Sequence, residues 1–112
     1  MRFCGVCIIT NDVLNLAAFY KEVLCSDPVG DCNHMGFDDR NLAIWNPGDY
    51  NVPEVKCMSL MFFIDDAEDE FARLSRINGV KDIITPTIKP WGVKSFSFND
   101  PDGNQVNFIE KI

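Results

Sequence analysis

The sequence predicts an α+β fold made of two consecutive β-α-β-β-β units. Three observations lead there. Laid over itself with an offset of 54 residues, the 112-residue chain sets Val6-Cys7-Ile8-Ile9-Thr10-Asn11-Asp12 over Leu60-Met61-Phe62-Phe63-Ile64-Asp65-Asp66. Each of these apolar runs ends on an amide or acidic residue able to cap a helix, and apolar residues at helical spacing follow it. After each helix come strand-like runs separated by turn residues. The two modules cover about residues 1–47 and 57–112, and together they suit a single domain of this length.

In the first module, residues 2–10 are rich in Cys, Val and Ile and read as a strand. Asn11 or Asp12 supplies the N-cap. Val13, Leu16, Ala17, Tyr20 and Leu24 then recur at helical spacing, with Asn15, Lys21 and Glu22 outside the stripe. The helix ends near Cys25-Ser26-Asp27-Pro28, because proline cannot continue it. Two short strands, about residues 32–37 and 40–46, flank a turn at Asp38-Asp39. Residues 46–53 hold Pro47, Gly48 and Pro53 and read as the loop joining the modules.

The second module opens with a strand over residues 58–64. Asp65-Asp66 caps a helix carrying Ala67, Phe71, Leu74 and Ile77, and Asn78-Gly79 closes it. Further strands are expected within residues 80–89, over Val93–Asn99 and over residues 104–111. Between the last two, Asp100-Pro101-Asp102-Gly103 is a tight-turn sequence: proline presets φ, and glycine accepts a positive φ after it.

Composition narrows the function. The chain is 46% apolar, 12% aromatic and 24% charged, which excludes a disordered or collagen-like protein. The longest apolar run, around Leu60 to Ile64, is far below the roughly 20 residues that span a bilayer. With no basic segment before an apolar stretch, no signal peptide is expected, and a cytoplasmic location follows. The net charge of −7 and the scattered Lys and Arg argue against nucleic acid. Such a surface favours solubility and mildly attracts a cation.

The five cysteines, Cys4, Cys7, Cys25, Cys32 and Cys57, are an odd number and read as free thiols of a reducing compartment. In a continuous strand Cys4 and Cys7 point to opposite faces, so they do not share a metal, and buried small hydrophobes are the expected role.

The strands are apolar on both sides. Leu60, Phe62 and Ile64 can pack on helices, which leaves Met61 and Phe63 on a second face. Val6 and Ile8 likewise oppose Cys7 and Ile9. Val106 and Phe108 oppose Gln105, Asn107 and Ile109. The second face therefore carries Cys7, Ile9, Trp45, Met61 and Phe63, with Ser59 and Asn107 among them. Apolar area with a few polar groups is the composition of a small-molecule pocket, although a subunit interface or a filled core has the same one.

Two segments resemble a known family. Ile9-Thr10-Asn11-Asp12 leading into Ala18-Phe19-Tyr20-Lys21-Glu22-Val23-Leu24 is similar to a strand-to-helix signature of the vicinal oxygen chelate superfamily, which includes glyoxalase I, bleomycin-resistance proteins and extradiol dioxygenases. Phe98-Asn99-Asp100-Pro101-Asp102-Gly103-Asn104-Gln105-Val106-Asn107-Phe108 is similar to its C-terminal DPDGN signature. The resemblance implies two β-α-β-β-β modules forming a curved mixed sheet around a concave pocket, with helices outside, and a homodimer. Enzymes of the family hold a divalent metal with His and Glu on the concave strands. The matching positions here are Gly5, Ser59, Asn107 and, on the fourth strand, about Ala43. Catalytic Zn, Ni, Mn or Fe sites want imidazole or carboxylate, which none of these supplies. His34, the single histidine, is expected away from these positions, and Glu110 on the face opposite Asn107.

The expected protein is thus a metal-free, cofactor-free binder. It would sequester a small amphipathic or aromatic ligand, cationic if the overall charge governs, through Cys7, Ile9, Trp45, Ser59, Met61, Phe63, Trp91 and Asn107, with no catalytic residue. Trp91-Gly92 would form a rim before the penultimate strand. The alternatives are a metal-dependent glyoxalase-like lyase or dioxygenase with a non-standard metal site, and a protein-interaction module whose concave face is filled by a partner chain.

Overall fold

The computed structural model describes residues 1–49 and 51–112; Tyr50, in the expected linking loop, lies outside them. These residues form two compact units, Met1–Pro53 and Glu54–Ile112, each with one helix and one four-stranded mixed sheet.

The first unit runs β1 (Val6–Ile9), α1 (Val13–Leu24), β2 (Val29–Gly30), β3 (His34–Phe37), a 3₁₀ turn (Asp38–Arg40) and β4 (Leu42–Trp45). Its strand order is β1-β4-β3-β2, with β1 parallel to β4 and the other pairs antiparallel. The Asp12 carboxylate accepts the Asn15 N–H at 3.1 Å and starts α1. Cys25, left-handed at φ +51°, ends it before Pro28 can. Val13, Leu16, Ala17, Tyr20 and Val23 are buried with Ile8, Phe37, Leu42 and Ile44, so α1 covers one face of the sheet. Three expectations change. The first strand starts at Val6, because Gly5 at φ +145° breaks the extended run. The strands expected over residues 32–37 and 40–46 shrink to β3 and β4: a turn in which the Asp31 carboxylate accepts the Asn33 and His34 N–H groups takes up residues 32 and 33, and the Asp38–Arg40 turn with left-handed Asn41 delays β4. The two-residue β2 was not foreseen; it is too short to leave a pattern.

The second unit repeats the plan: β5 (Ser59–Phe63), α2 (Ala67–Leu74), β6 (Thr87–Lys89), β7 (Val93–Asn99) and β8 (Gln105–Lys111), in the order β5-β8-β7-β6. The Asp66 carboxylate accepts the Asp69 N–H at 3.1 Å, the device Asp12 uses in α1. Glu110 Oε1 adds a second acceptor for that helix end, taking the Ala67 N–H at 2.7 Å. The core is aromatic: Phe71, Phe96, Phe98 and Phe108 meet edge-on or tilted at 5.4–6.2 Å between ring centroids. Helix α2 stops at Leu74, short of Asn78-Gly79, and the chain continues through turns closed by Arg73, Leu74 and Ile77 carbonyls. Of the strand expected within residues 80–89, only Thr87–Lys89 forms, with an isolated bridge from Lys81 to Asn99.

The DPDGN segment is a turn organised by one carboxylate. Asp100 is fully buried, and its Oδ1 accepts the N–H groups of Asp102 and Asn104 at 2.9 and 2.8 Å. Its Oδ2 accepts the Asn104 side-chain amide at 2.9 Å. Gly103 takes the required positive φ of +89°.

Candidate functional site

Each sheet has one face under its helix and one without a helix, called here the open face. Residues paired across strands share a face, and alternate residues along a strand return to it. In the second sheet the register therefore gives rows across the open face: Ser59–Gln105–Asn99, Met61–Asn107–Ser97, Phe63–Ile109–Ser95–Thr87 and Lys111–Val93–Lys89. The helix side holds Phe96, Phe98, Val106 and Phe108, all buried.

This open face combines apolar area with directed polar groups. Met61 and Phe63 are each 70% exposed. Beside them the Asn107 side-chain amide donates to Ser59 Oγ and, at 3.2 Å, to Gln105 Oε1. The Lys111 ammonium sits 4.4 Å from the centre of the Phe63 ring. Ser59, Met61, Phe63 and Asn107 are therefore brought together on one face, as the alternation predicted. Trp91 is 73% exposed in the β6–β7 turn, where Gly92 takes φ +83°. Glu110 points to the helix side, as its position required.

The first sheet's open face is built differently. Its rows are Cys7–Ala43–Gly36, and Ile9–Trp45–His34. Cys7, Ile9 and Trp45 thus share a face, with Trp45 42% exposed. His34 belongs to that face as well. Expected elsewhere, it is carried there because β3 pairs with β4 and sets His34 opposite Trp45. A cavity of about 310 Å³ is lined by Cys4, Gly5, Cys7, His34, Asp38 and Ala43 among others. The cysteine reading changes in two ways. All five thiols are exposed rather than buried. Cys4 and Cys7 also reach one cavity, because the break at Gly5 removes the strict alternation between them. Although exposed, the Cys7 thiol is partly desolvated by the protein atoms around it, which raises its pKa above the ordinary value and disfavours the thiolate.

Two β-α-β-β-β modules, each backing a mixed sheet with one helix and leaving its other face uncovered by that helix, define the class of this protein. The chain belongs to the glyoxalase/bleomycin resistance protein/dioxygenase superfamily, whose sequence profile matches residues 3–108. Among solved structures it is similar to a protein of unknown function from Agrobacterium tumefaciens strain C58, with a TM-score of 0.82 at 22% identity over 100% of this chain and 95% of that one. It is similar to lactoylglutathione lyase from Agrobacterium tumefaciens, with a TM-score of 0.74 at 21% identity over 97% and 92% of the two chains. A bleomycin resistance determinant encoded on the transposon Tn5 gives 0.76 at 20% identity over 99% and 98%. At such identities the likeness establishes a shared fold. No curated protein sequence matches the chain.

The metal that this family implies does not fit the residues at its positions. A Cβ on Gly5 would overlap the Asn41 carbonyl oxygen, so position 5 has no room for a histidine. Ala43 offers a methyl group. Ser59 and Asn107 bond to one another and carry only neutral donors and acceptors. Among the described residues, no three His, Cys, Asp or Glu side chains cluster to hold an ion. No helix among them is long and apolar enough to cross a membrane.

Proposed function

We propose that this chain is a metal-free binding protein that sequesters a small amphipathic or aromatic molecule on its open strand faces. The observation that carries this reading is the pairing of exposed Met61 and Phe63 with the hydrogen-bonded Ser59–Asn107–Gln105 group. Apolar area flanked by a few directed polar groups is how small-molecule sites are made. The neutral chemistry at the family's metal positions supports a role in binding rather than Lewis-acid activation. On this reading Cys7, Ile9, Trp45 and Trp91 add contact area in their own units. The two modules are the halves of one domain spanning residues 1–112, and the protein works as a homodimer, as the family resemblance implies; its free cysteines suit a reducing, cytoplasmic location.

A second reading, a metal-dependent lyase or dioxygenase with a non-standard site, draws on the cavity lined by Cys4, Cys7 and His34. Titration with Ni, Zn, Mn and Fe, alongside a panel of small aromatic compounds followed by tryptophan fluorescence, separates the two. The binding reading expects saturable quenching by some aromatic compounds, about fivefold weaker in Asn107→Leu for the loss of its directed hydrogen bond, and no stoichiometric metal. Tight one-to-one metal binding that Cys7→Ser or His34→Ala abolishes would overturn it.

A further inference from the structure

We infer that the open face of the second sheet selects a flat aromatic anion, with its acid group held at the Lys89–Lys111 end. This rests on the binding reading above and names the ligand class for that face. The protein as a whole carries a charge of −7, which by itself favours a cation. The strands of this sheet distribute charge otherwise. Four strand residues are charged: Lys89, Lys94, Glu110 and Lys111. Register sends Lys94 and Glu110 to the helix side, where both are engaged by α2. Lys94 pairs with Glu68 at 2.8 Å, and Glu110 accepts the Ala67 N–H. It sends Lys89 and Lys111 to the open face, on either side of Val93. Neither forms an ion pair among the described residues. The charges carried by the strands on this face are thus of one sign, and no ion pair among the described residues neutralises them.

Two strand spacings of nearly 5 Å put the lysine backbones about 10 Å apart, within reach of one anionic group for side chains of that length. The neutral hydrogen-bonding set lies at the other end. Asn107 is four residues from Lys111 along β8, about 14 Å away. Between the two ends lie Phe63 and Ile109, and Met61 stands beside Asn107 at the neutral end. Asp82 sits beyond the neutral end, where it accepts the Asn99 side-chain amide at 3.0 Å. Field and shape therefore agree. One end attracts an anion, the middle offers apolar and ring surface, and the far end offers amide and hydroxyl groups. At physiological salt a charge acts over about 8 Å, so the two nearby lysines outweigh the net charge of the distant surface.

Three dyes test this on the full-length protein. 8-Anilinonaphthalene-1-sulfonate and N-phenyl-1-naphthylamine share a ring system and differ in the sulfonate, and thioflavin T is a cationic aromatic. The sulfonate dye should bind about fivefold more tightly than the neutral one, the effect of one exposed charge pair. That preference should disappear in 0.5 M salt and in the double variant Lys89→Gln/Lys111→Gln, and survive in Lys111→Arg. Phe63→Ala should weaken both naphthalene dyes, which places them on this face. Equal or tighter binding of the neutral dye, preference for thioflavin T, or a sulfonate preference that ignores the lysine variants would overturn the charge assignment and leave the binding function standing. Failure of all three dyes to bind would overturn the binding function itself.

Discussion

Replacing Gly5 by alanine should destabilise the protein by about 3 kcal/mol, a sum of strain, crowding and a weakened hydrogen bond. The backbone at Gly5 has φ +145°, a region that side chains of L-residues avoid. Such a conformation costs roughly 1–2 kcal/mol for a residue with a Cβ. The Cβ would overlap the Asn41 carbonyl oxygen and lie 2.9 Å from its carbon. Both are backbone atoms at the entrance to β4. That carbonyl also accepts the Val6 N–H at 3.0 Å, so it cannot retreat without loosening the first rung of the β1–β4 ladder. A lost or stretched backbone bond adds about 1 kcal/mol. In a chain of this size the total lowers the melting midpoint by about 12 °C. Gly92→Ala serves as the control, because Gly92 has φ +83° with nothing within 4 Å of its Cβ position, and so carries strain without crowding. Urea and thermal unfolding followed by circular dichroism measure both variants. A Gly5→Ala protein as stable as Gly92→Ala would refute the crowding argument. The same measurement on Gly5→His bears on function: a histidine tolerated there without loss of stability would reopen that position to a metal ligand.

Two further outcomes follow from single carboxylates. Asp100→Ala removes the acceptor for the Asp102 and Asn104 N–H groups and the Asn104 amide, and should cost about 2–4 kcal/mol in urea unfolding. A loss below 1 kcal/mol would mean that the DPDGN turn holds itself without it. The Asn33 and His34 N–H groups hold the Asp31 carboxyl below the ordinary aspartate range. A depressed folded-state pKa adds stability above the unfolded pKa and loses it as pH falls through the folded one, so Asp31→Asn should flatten the acid limb of the stability profile. Carbon-13 NMR titration of the Asp31 carboxyl checks the direction, and titration at or above the ordinary range would contradict it.

Helix starts and the face of each strand were legible in the sequence because they depend on local physics. Asp12 and Asp66 each cap a helix through the N–H three residues on, and a single side chain suffices to mark that. Alternation assigned Val106 and Phe108 to one face and Asn107 to the other without any knowledge of partners. What escaped depends on pairing between distant segments. His34 was expected away from Gly5 and Ala43, and only the β3–β4 register brings it to the cavity they line. The lysine pair escaped for the same reason, since only the β6–β7–β8 register sets Lys89 and Lys111 on one face, either side of Val93. The backbone break at Gly5 was hidden too: nothing in Cys4-Gly5-Val6 announces a positive φ, and the alternation argument for Cys4 and Cys7 failed there.

The two modules show where such limits matter for function. Matched through their registers, the helix-side positions of the two sheets agree in kind: Ile8 with Phe62, Phe37 with Phe98, Leu42 with Val106, Ile44 with Phe108. Burial under a helix accepts any large apolar side chain, so packing alone keeps these positions alike. On the open faces only Ile9 with Phe63 and Trp45 with Ile109 agree in being large and apolar; the rest differ, since Cys7 matches Met61, Ala43 matches Asn107, Gly36 matches Ser97, and His34 matches Ser95. Without a helix above them, these residues are released from that constraint, and each sheet carries a chemistry of its own. One offers thiols and an imidazole over a floor of small residues. The other offers rings, amides and two ammonium groups. The fold therefore fixes where a ligand can lie, while the unshared residues decide which one does, and a function borrowed from relatives of the same fold has to be tested on these side chains one at a time.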